Sequence, residues 1–424
     1  METKSFTGLV PDLTITELFE QYGLAFVMVA SYFGSGSVFI ASSAGVRYGY
    51  GLLWAVVGAV LLGFMAQDMS ARLGIFGESL AAFARKRLGS TVATILMVLL
   101  AVGCIAWTLE LTAAVGKGVV VLLGLHGIGW HPFAYLTGLT AMVIGILGYD
   151  MVEKVMVTMM FGLLIAYVVV AGASSPDLVA VSKGFVPAIE SAGAMALAVS
   201  ILGTTALWPN FFLESQLVEN KGWTSKSDVP TMRRDLSIGY AVGGVTTIAI
   251  VVAAAAVLRP AGYTHLETFL TPGRALANVL GEWAMVVFLV GTLAAAFNSI
   301  IPIMWAPAYM IPEAMGEEFA ESTRLFKLIY VIGVGVGSLS PLVHQYLGLS
   351  VIDMIILFPA YNGVVGLPIT ALLLFWAVND SDVMGEYTNG WKLNILNSAL
   401  ILLAVYSAWS AGRFVINAIL SGGL

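Results

Sequence analysis

Tyr32-Phe33-Gly34-Ser35-Gly36-Ser37 lies in the middle of the first long apolar run of this chain, and Leu207-Trp208-Pro209-Asn210 lies in the middle of the sixth. A helix in lipid must satisfy its own backbone. Irregular backbone at that depth survives only where it lines a cavity or is buried in protein. Two breaks at corresponding places of two halves are the sequence mark of a transporter with a binding site at the membrane midplane.

The composition fits that reading. The 424 residues are 59% hydrophobic and only 10% charged, with a mean hydropathy of +0.93. Soluble domains carry about 25% charged residues. The net charge of −6 says little, because charge placement matters more in a membrane chain than the sum. The single Cys104 excludes an intramolecular disulfide and any cysteine-built metal centre. No removable signal peptide is expected at the start.

Eleven apolar runs of spanning length succeed one another, at about 23–46, 50–71, 92–123, 133–150, 155–174, 190–218, 236–258, 276–312, 326–345, 349–378 and 392–420. The third and eighth are over-long, and Pro302, Pro307 and Pro312 predict an irregular end to the eighth. Of the nineteen Lys and Arg, thirteen fall on the side of the N-terminus and six on the other. By the positive-inside rule the N-terminus is expected in the cytoplasm and the C-terminus outside. Five spans per half is an odd number, so the second half is inserted upside down. The expected organisation is a cytoplasmic segment 1–22, a core 23–378 of two inverted repeats (about 23–174 and 190–378), and an additional eleventh helix in 379–424. The fold class is all-α membrane protein of 5+5 inverted-repeat plan with helices 1 and 6 broken. A multi-pass protein of the cell membrane is implied.

Local sequence carries a family likeness. The run Tyr48 to Trp54 (YGYGLLW), with Met69 to Ile75 (MSARLGI) after it, is similar to the second helix of the Nramp family and its exit. Ala198 to Thr204, Leu207 to Asn210 and Leu213 to Val218 resemble its sixth helix. Leu367-Pro368 and the stretch Met384-Gly385 to Asn389-Gly390 resemble the tenth helix and the segment after it. The resemblance covers most of the chain in order and implies the LeuT-like fold of the amino acid–polyamine–organocation superfamily. The chain departs from the family at the breaks. Where Nramp metal transporters carry Asp-Pro-Gly-Asn in helix 1, it has Gly34-Ser35-Gly36-Ser37. Where they carry Met-Pro-His in helix 6, it has Trp208-Pro209-Asn210. A further family histidine is replaced by Glu214. The resemblance therefore implies a divergent member without the residues that hold Mn²⁺ or Fe²⁺.

A divalent cation wants charged oxygens or soft sulfur and nitrogen. An anion wants free N–H groups at a positive dipole end. Gly34 and Gly36 are expected to take positive φ and aim their amides at a ligand, with Ser35 and Ser37 adding hydroxyls. The other reading of these glycines is tight helix packing. Asn210 and Trp208 are expected to face the same cavity, although Trp208 can equally be a packing residue. Tyr361 and Asn362, after Pro359, are candidates for the site, because the resemblance implies a polar side chain from this region. Asn298 and Ser299 are polar in an apolar run, and for all four hydrogen bonding between helices is the favoured role. Intramembrane carboxylates are functional candidates by default, which singles out Glu110, the match to a glutamate of the family's third helix, and Glu214. Both are assigned to proton coupling, the alternative being salt bridges with Lys117, Arg47 or Lys221. Asp68 and Arg72 read as a gate or structural pair, and Asp353 is open to either role. His126, His131, His265 and His344 sit near segment ends without metal-ligand spacing.

The expected function is secondary uptake of a small organic carboxylate, of amino acid, 5-oxoproline or hydroxy acid type. H⁺, or Na⁺, is the coupling ion, the lipid bilayer is the surroundings, and no metal or other cofactor is required. The rival is a divalent metal transporter (Mn²⁺ or Mg²⁺) with an altered site, which could suit a hydrated ion. A receptor or channel has less support, and no nucleophile–base constellation suggests an enzyme.

Overall fold

The computed structural model describes residues 23–266, 268–317 and 320–420. The expected cytoplasmic segment 1–22 lies outside them, as do residues 421–424. Among the described residues every element is helical. The spans are α1 in two halves, α1a (Leu24–Tyr32) and α1b (Ser35–Tyr48); α2 (Leu53–Phe76); α3 (Ser90–Leu122); α4 (His131–Gly145); α5 (Tyr149–Ala173); and α6 as α6a (Ala192–Thr205) and α6b (Pro209–Leu217). Next come α7 (Val229–Ala253, with a π-turn at Ala254–Leu258); α8 (Glu282–Met315); α9 as α9a (Arg324–Gly337) and α9b (Ser340–Leu347); α10 (Val351–Tyr361 and Leu367–Ala377, around a π-turn at Asn362–Gly366); and α11 (Trp391–Leu420). Among the described residues eight helices are long and apolar enough to cross a bilayer, or up to ten if the bent pairs α1 and α9 each make one span. The remaining expected run corresponds to the fifteen-residue α4, which is shorter than those helices. It ends well short of the expected 150 because Gly148, at φ 94, turns the chain into α5.

Both halves repeat one device. A short helix (Leu80–Leu88 in the first half, Thr271–Leu280 in the second) runs into a glycine of positive φ, Gly89 (φ 81) or Gly281 (φ 95). The chain then turns into the longest helix of its half, α3 or α8. A side chain at such φ is costly, so only glycine makes the corner without strain. At 33 and 34 residues, α3 and α8 are each about 50 Å long. They pack on each other at the centre of the bundle.

The eighth span corrects the expected irregular end. Pro302, Pro307 and Pro312 all lie inside a continuous α8. Each proline removes one backbone hydrogen bond, but all three are buried, and α3, α5 and α9a pack against the helix. Such packing lets membrane helices tolerate proline. Elsewhere the outer faces of α2, α3, α5 and α11 present exposed Leu61, Val98, Ile165 and Leu402, as a lipid-facing surface requires.

Candidate functional site

The first break falls at Phe33–Gly34, and the two halves of α1 meet at 66°. The second falls at Ala206–Trp208, where Pro209 opens α6b. Pro at the first helical position needs no partner for its missing N–H. Side chains replace the lost ladder at the first break. Ser37 Oγ donates to Tyr32 O at 2.6 Å, Ser299 Oγ to Ala30 O at 2.8 Å, and Asn210 Nδ2 to Met28 O at 2.8 Å. Three carbonyls near the end of α1a are thus held by donors from α1b, α8 and α6b.

A cavity of about 450 Å³ opens at this crossing. Gly34, Gly36, Ser37, Trp208, Asn362 and Glu110 all line it. Ser31, Thr204 and Ser299 add hydroxyls, and α11 contributes Tyr406, Ser407 and Ser410. Sequence reasoning missed the α11 set, although a polar 406, 407, 410 pattern on an otherwise apolar helix was the available signal. Glu110, only 3% exposed, is the sole ionisable carboxylate among the lining residues. Its Oε1 accepts a hydrogen bond from Ser35 Oγ at 2.5 Å. No cluster of three or more His, Cys, Asp or Glu that could hold a metal occurs among the described residues.

Trp208 stacks on Trp107, ring centroids 6.1 Å apart, and donates Nε1–H to Asn362 Oδ1 at 3.0 Å. Asn362 in turn donates to Gly103 O and Phe358 O, both at 3.1 Å. The side chain is thereby fixed in the π-turn of α10, a distortion that often marks functional sites.

Several expectations change here. Neither Gly34 nor Gly36 takes positive φ; Gly34 sits at φ −100 as the N-cap of α1b. An ideal Cβ on Gly34 would lie 3.2 Å from both Leu111 Cδ2 and Ser299 Oγ, whereas one on Gly36 would meet nothing within 4 Å. Gly34 therefore serves close packing, and Gly36 keeps space open. Ser35, Asn210 and Tyr361 do not line the cavity. Ser35 faces Glu110, Asn210 gives its Nδ2 to α1a and leaves Oδ1 buried without a partner, and Tyr361 donates its hydroxyl to Leu99 O at 3.0 Å. Asn298 is buried with neither amide atom partnered. Asp353 caps the start of α10 with Ser350.

Below the cavity the acidic groups separate. Lys221 pairs with Glu153 at 2.5 Å, not with Glu214. Glu214 is fully buried, and neither carboxyl oxygen has a hydrogen-bond partner. Asp235 accepts from Gly23 N and Ala25 N, each at 2.7 Å, and so caps α1a. Asp68 bridges Arg72 at 2.9 Å and Arg233 at 2.7 Å, tying α2 to α7.

A family model described as natural resistance-associated macrophage protein-like matches residues 25–410. The chain belongs to the Nramp family. A divalent metal cation transporter MntH of Klebsiella pneumoniae is 30% identical over 285 residues, covering 66% of this chain and 68% of the relative. The MntH of Yersinia enterocolitica is 25% identical over 390 residues, covering 90% and 92%. The Eremococcus coleocola manganese transporter, solved in complex with an aromatic bis-isothiourea substituted compound, shares the fold. Its TM-score is 0.77 at 19% identity, over 95% of this chain and 89% of that one. This Nramp protein is therefore an all-α multi-pass transporter-family chain of LeuT-like inverted-repeat fold.

These relatives overturn the expected organic carboxylate cargo, and with it the carboxylate as partner, because they are named as metal cation transporters. The physical reason for the error is specific. The lack of Asp, Met and His at the breaks does not by itself remove a cation site. The Nramp cavity of this chain still offers a carboxyl group, Glu110, from α3, and neutral oxygens from α1, α6, α8 and α11.

Proposed function

We propose that this chain is a secondary transporter of a divalent metal ion, bound at the α1–α6 crossing with part of its water shell retained. The observation that carries the reading is the single carboxylate, Glu110, oriented by Ser35 on the wall of a cavity otherwise lined by neutral groups. One carboxylate does not strip an aqueous ion. Six waters occupy about 180 Å³ at about 30 Å³ each, well within the cavity of about 450 Å³. Mg²⁺ dehydrates reluctantly and keeps several waters in most protein sites. No Cys, Met or His lines the cavity among the described residues, so nothing there favours a soft ion. The C-terminal ends of α1a and α6a direct negative dipole ends and carbonyls towards the crossing, as cation sites in broken helices do.

In this reading Gly36, Ser37, Trp208 and Asn362 shape the ion's surroundings, while Gly34, Ser35, Asn210 and Tyr361 hold the frame. Glu110 and Glu214 carry the coupling protons, Glu110 at the cavity and Glu214 beyond it. The thirteen-to-six split of Lys and Arg supports a cytoplasmic N-terminus and an outside C-terminus in the cell membrane.

The test is flux into proteoliposomes of purified full chain under an imposed pH gradient. Mg²⁺ and Mn²⁺ are expected to enter at comparable rates, without preference for Cd²⁺. Uptake of neither ion, with intact folded protein, refutes the reading.

A further inference from the structure

Two histidines far apart in sequence meet at the end of the bundle where α3 finishes and α10 begins. His131 opens α4, and His344 lies in the last turn of α9b. Their ring centroids are 5.9 Å apart, and Trp130 packs on both, at 4.7 Å from His131 and 5.7 Å from His344. Gly348, at φ 70, reverses the chain after α9b. The reversal brings Leu349 O to 2.8 Å from His344 Nδ1.

That contact fixes the chemistry of His344. A backbone carbonyl only accepts, so Nδ1 carries the hydrogen and, in the neutral ring, Nε2 carries a lone pair. A ring that donates one N–H to a backbone carbonyl and leaves the other nitrogen open is how protein metal sites orient an imidazole ligand. An ion about 2.1 Å from one nitrogen of each of two rings sets their centroids about 5–6 Å apart. The C-terminal end of α9b adds a negative dipole end beside His344, and the Trp130 ring supplies an apolar wall.

We infer that His131 and His344 form a second metal site, separate from the cavity, for a borderline divalent ion of the Zn²⁺ or Ni²⁺ class, with water completing its shell. Imidazole suits these ions and not Mg²⁺, Ca²⁺ or Mn²⁺, which prefer oxygen. The ion would join the start of α4 to the α9b–α10 connection. Val351, the first residue of α10, lies two residues beyond Leu349, and the same helix carries Asn362 at the cavity. Occupancy would therefore stiffen the start of a cavity-lining helix.

The test is calorimetric titration of ZnCl2 into detergent-solubilised full chain, with excess Mg²⁺ present to mask oxygen sites. Wild type is expected to bind one Zn²⁺. His131→Gln and His344→Gln are each expected to weaken that binding at least tenfold while the thermal unfolding temperature holds, and His131→Ala and His344→Ala are expected to repeat the result. His126→Ala, in the same connection as His131, is expected to leave it unchanged. No Zn²⁺ binding by wild type overturns the site, and so does unchanged affinity in either histidine variant. None of these readouts depends on transport, so the cavity reading stands or falls separately.

Discussion

Ser35 Oγ lies 2.5 Å from Glu110 Oε1, across 75 residues of sequence. The bond ties the first turn of α1b to the middle of α3, so the one acidic side chain among the described lining residues is aimed by the helix break itself. Glu110→Gln keeps the shape and removes the charge. Binding of Mg²⁺ and Mn²⁺, measured by calorimetry, is expected to weaken by tenfold or more, about 1.4 kcal/mol or above.

Ser35→Ala tests orientation separately from charge. It leaves the carboxyl group but removes its buried hydrogen bond, worth about 0.5–1.5 kcal/mol. Part of that loss is recovered by cavity water, so ion affinity is expected to fall less than in Glu110→Gln. The reverse order would mean that Glu110 is not the anion that meets the ion.

Glu214 is buried with both carboxyl oxygens unpartnered, an expensive arrangement for a group with no task. Glu214→Gln is expected to fold at least as stably as wild type and to bind the ion. Its flux, followed across a pH series in proteoliposomes, is expected to lose its pH dependence. Retained pH dependence would move coupling elsewhere.

The two site glycines are expected to behave differently. Gly34→Ala crowds Leu111 and Ser299, both 3.2 Å from the added carbon, while Gly36→Ala meets open space. Gly34→Ala is expected to lower the thermal unfolding temperature, at a cost of about 1–3 kcal/mol. Gly36→Ala is expected to keep its stability and reduce flux by narrowing the cavity. Equal stability losses in the two variants would contradict the packing described.

Asp235 holds two N–H groups at the start of α1a. Asn offers one accepting oxygen and turns an NH2 towards the other donor. Asp235→Asn is expected to cost about 1–2 kcal/mol locally and to speed hydrogen exchange of the amides at 23–30. Unchanged exchange there would show that the cap does not restrain α1a.

The spans and both breaks were legible because their causes are local. Apolar runs, Gly34 and Pro209 act within a few residues of themselves. The aim of side chains was not legible. Asn210 comes directly after the break, yet its amide N–H turns to Met28 O, a partner 182 residues away, and its Oδ1 stays buried without a partner. Cargo class failed for a related reason. The sequence singles out Glu110 as a proton carrier, but two four-residue motifs do not reveal that the fold brings its carboxyl group to them from α3. His131 and His344 show no ligand spacing in sequence, because only the approach of α4 to α9b puts their rings side by side.

The three side-chain donors on the carbonyls of α1a bear on the half of the cycle in which nothing is carried. A site of bare carbonyls would strand an empty carrier, since crossing without cargo would leave dipoles unanswered in a dry interior. Here Ser37, Ser299 and Asn210 already answer Tyr32, Ala30 and Met28. The break is thereby paired without any cargo, so its carbonyls need no bound ion to remain satisfied in a dry interior.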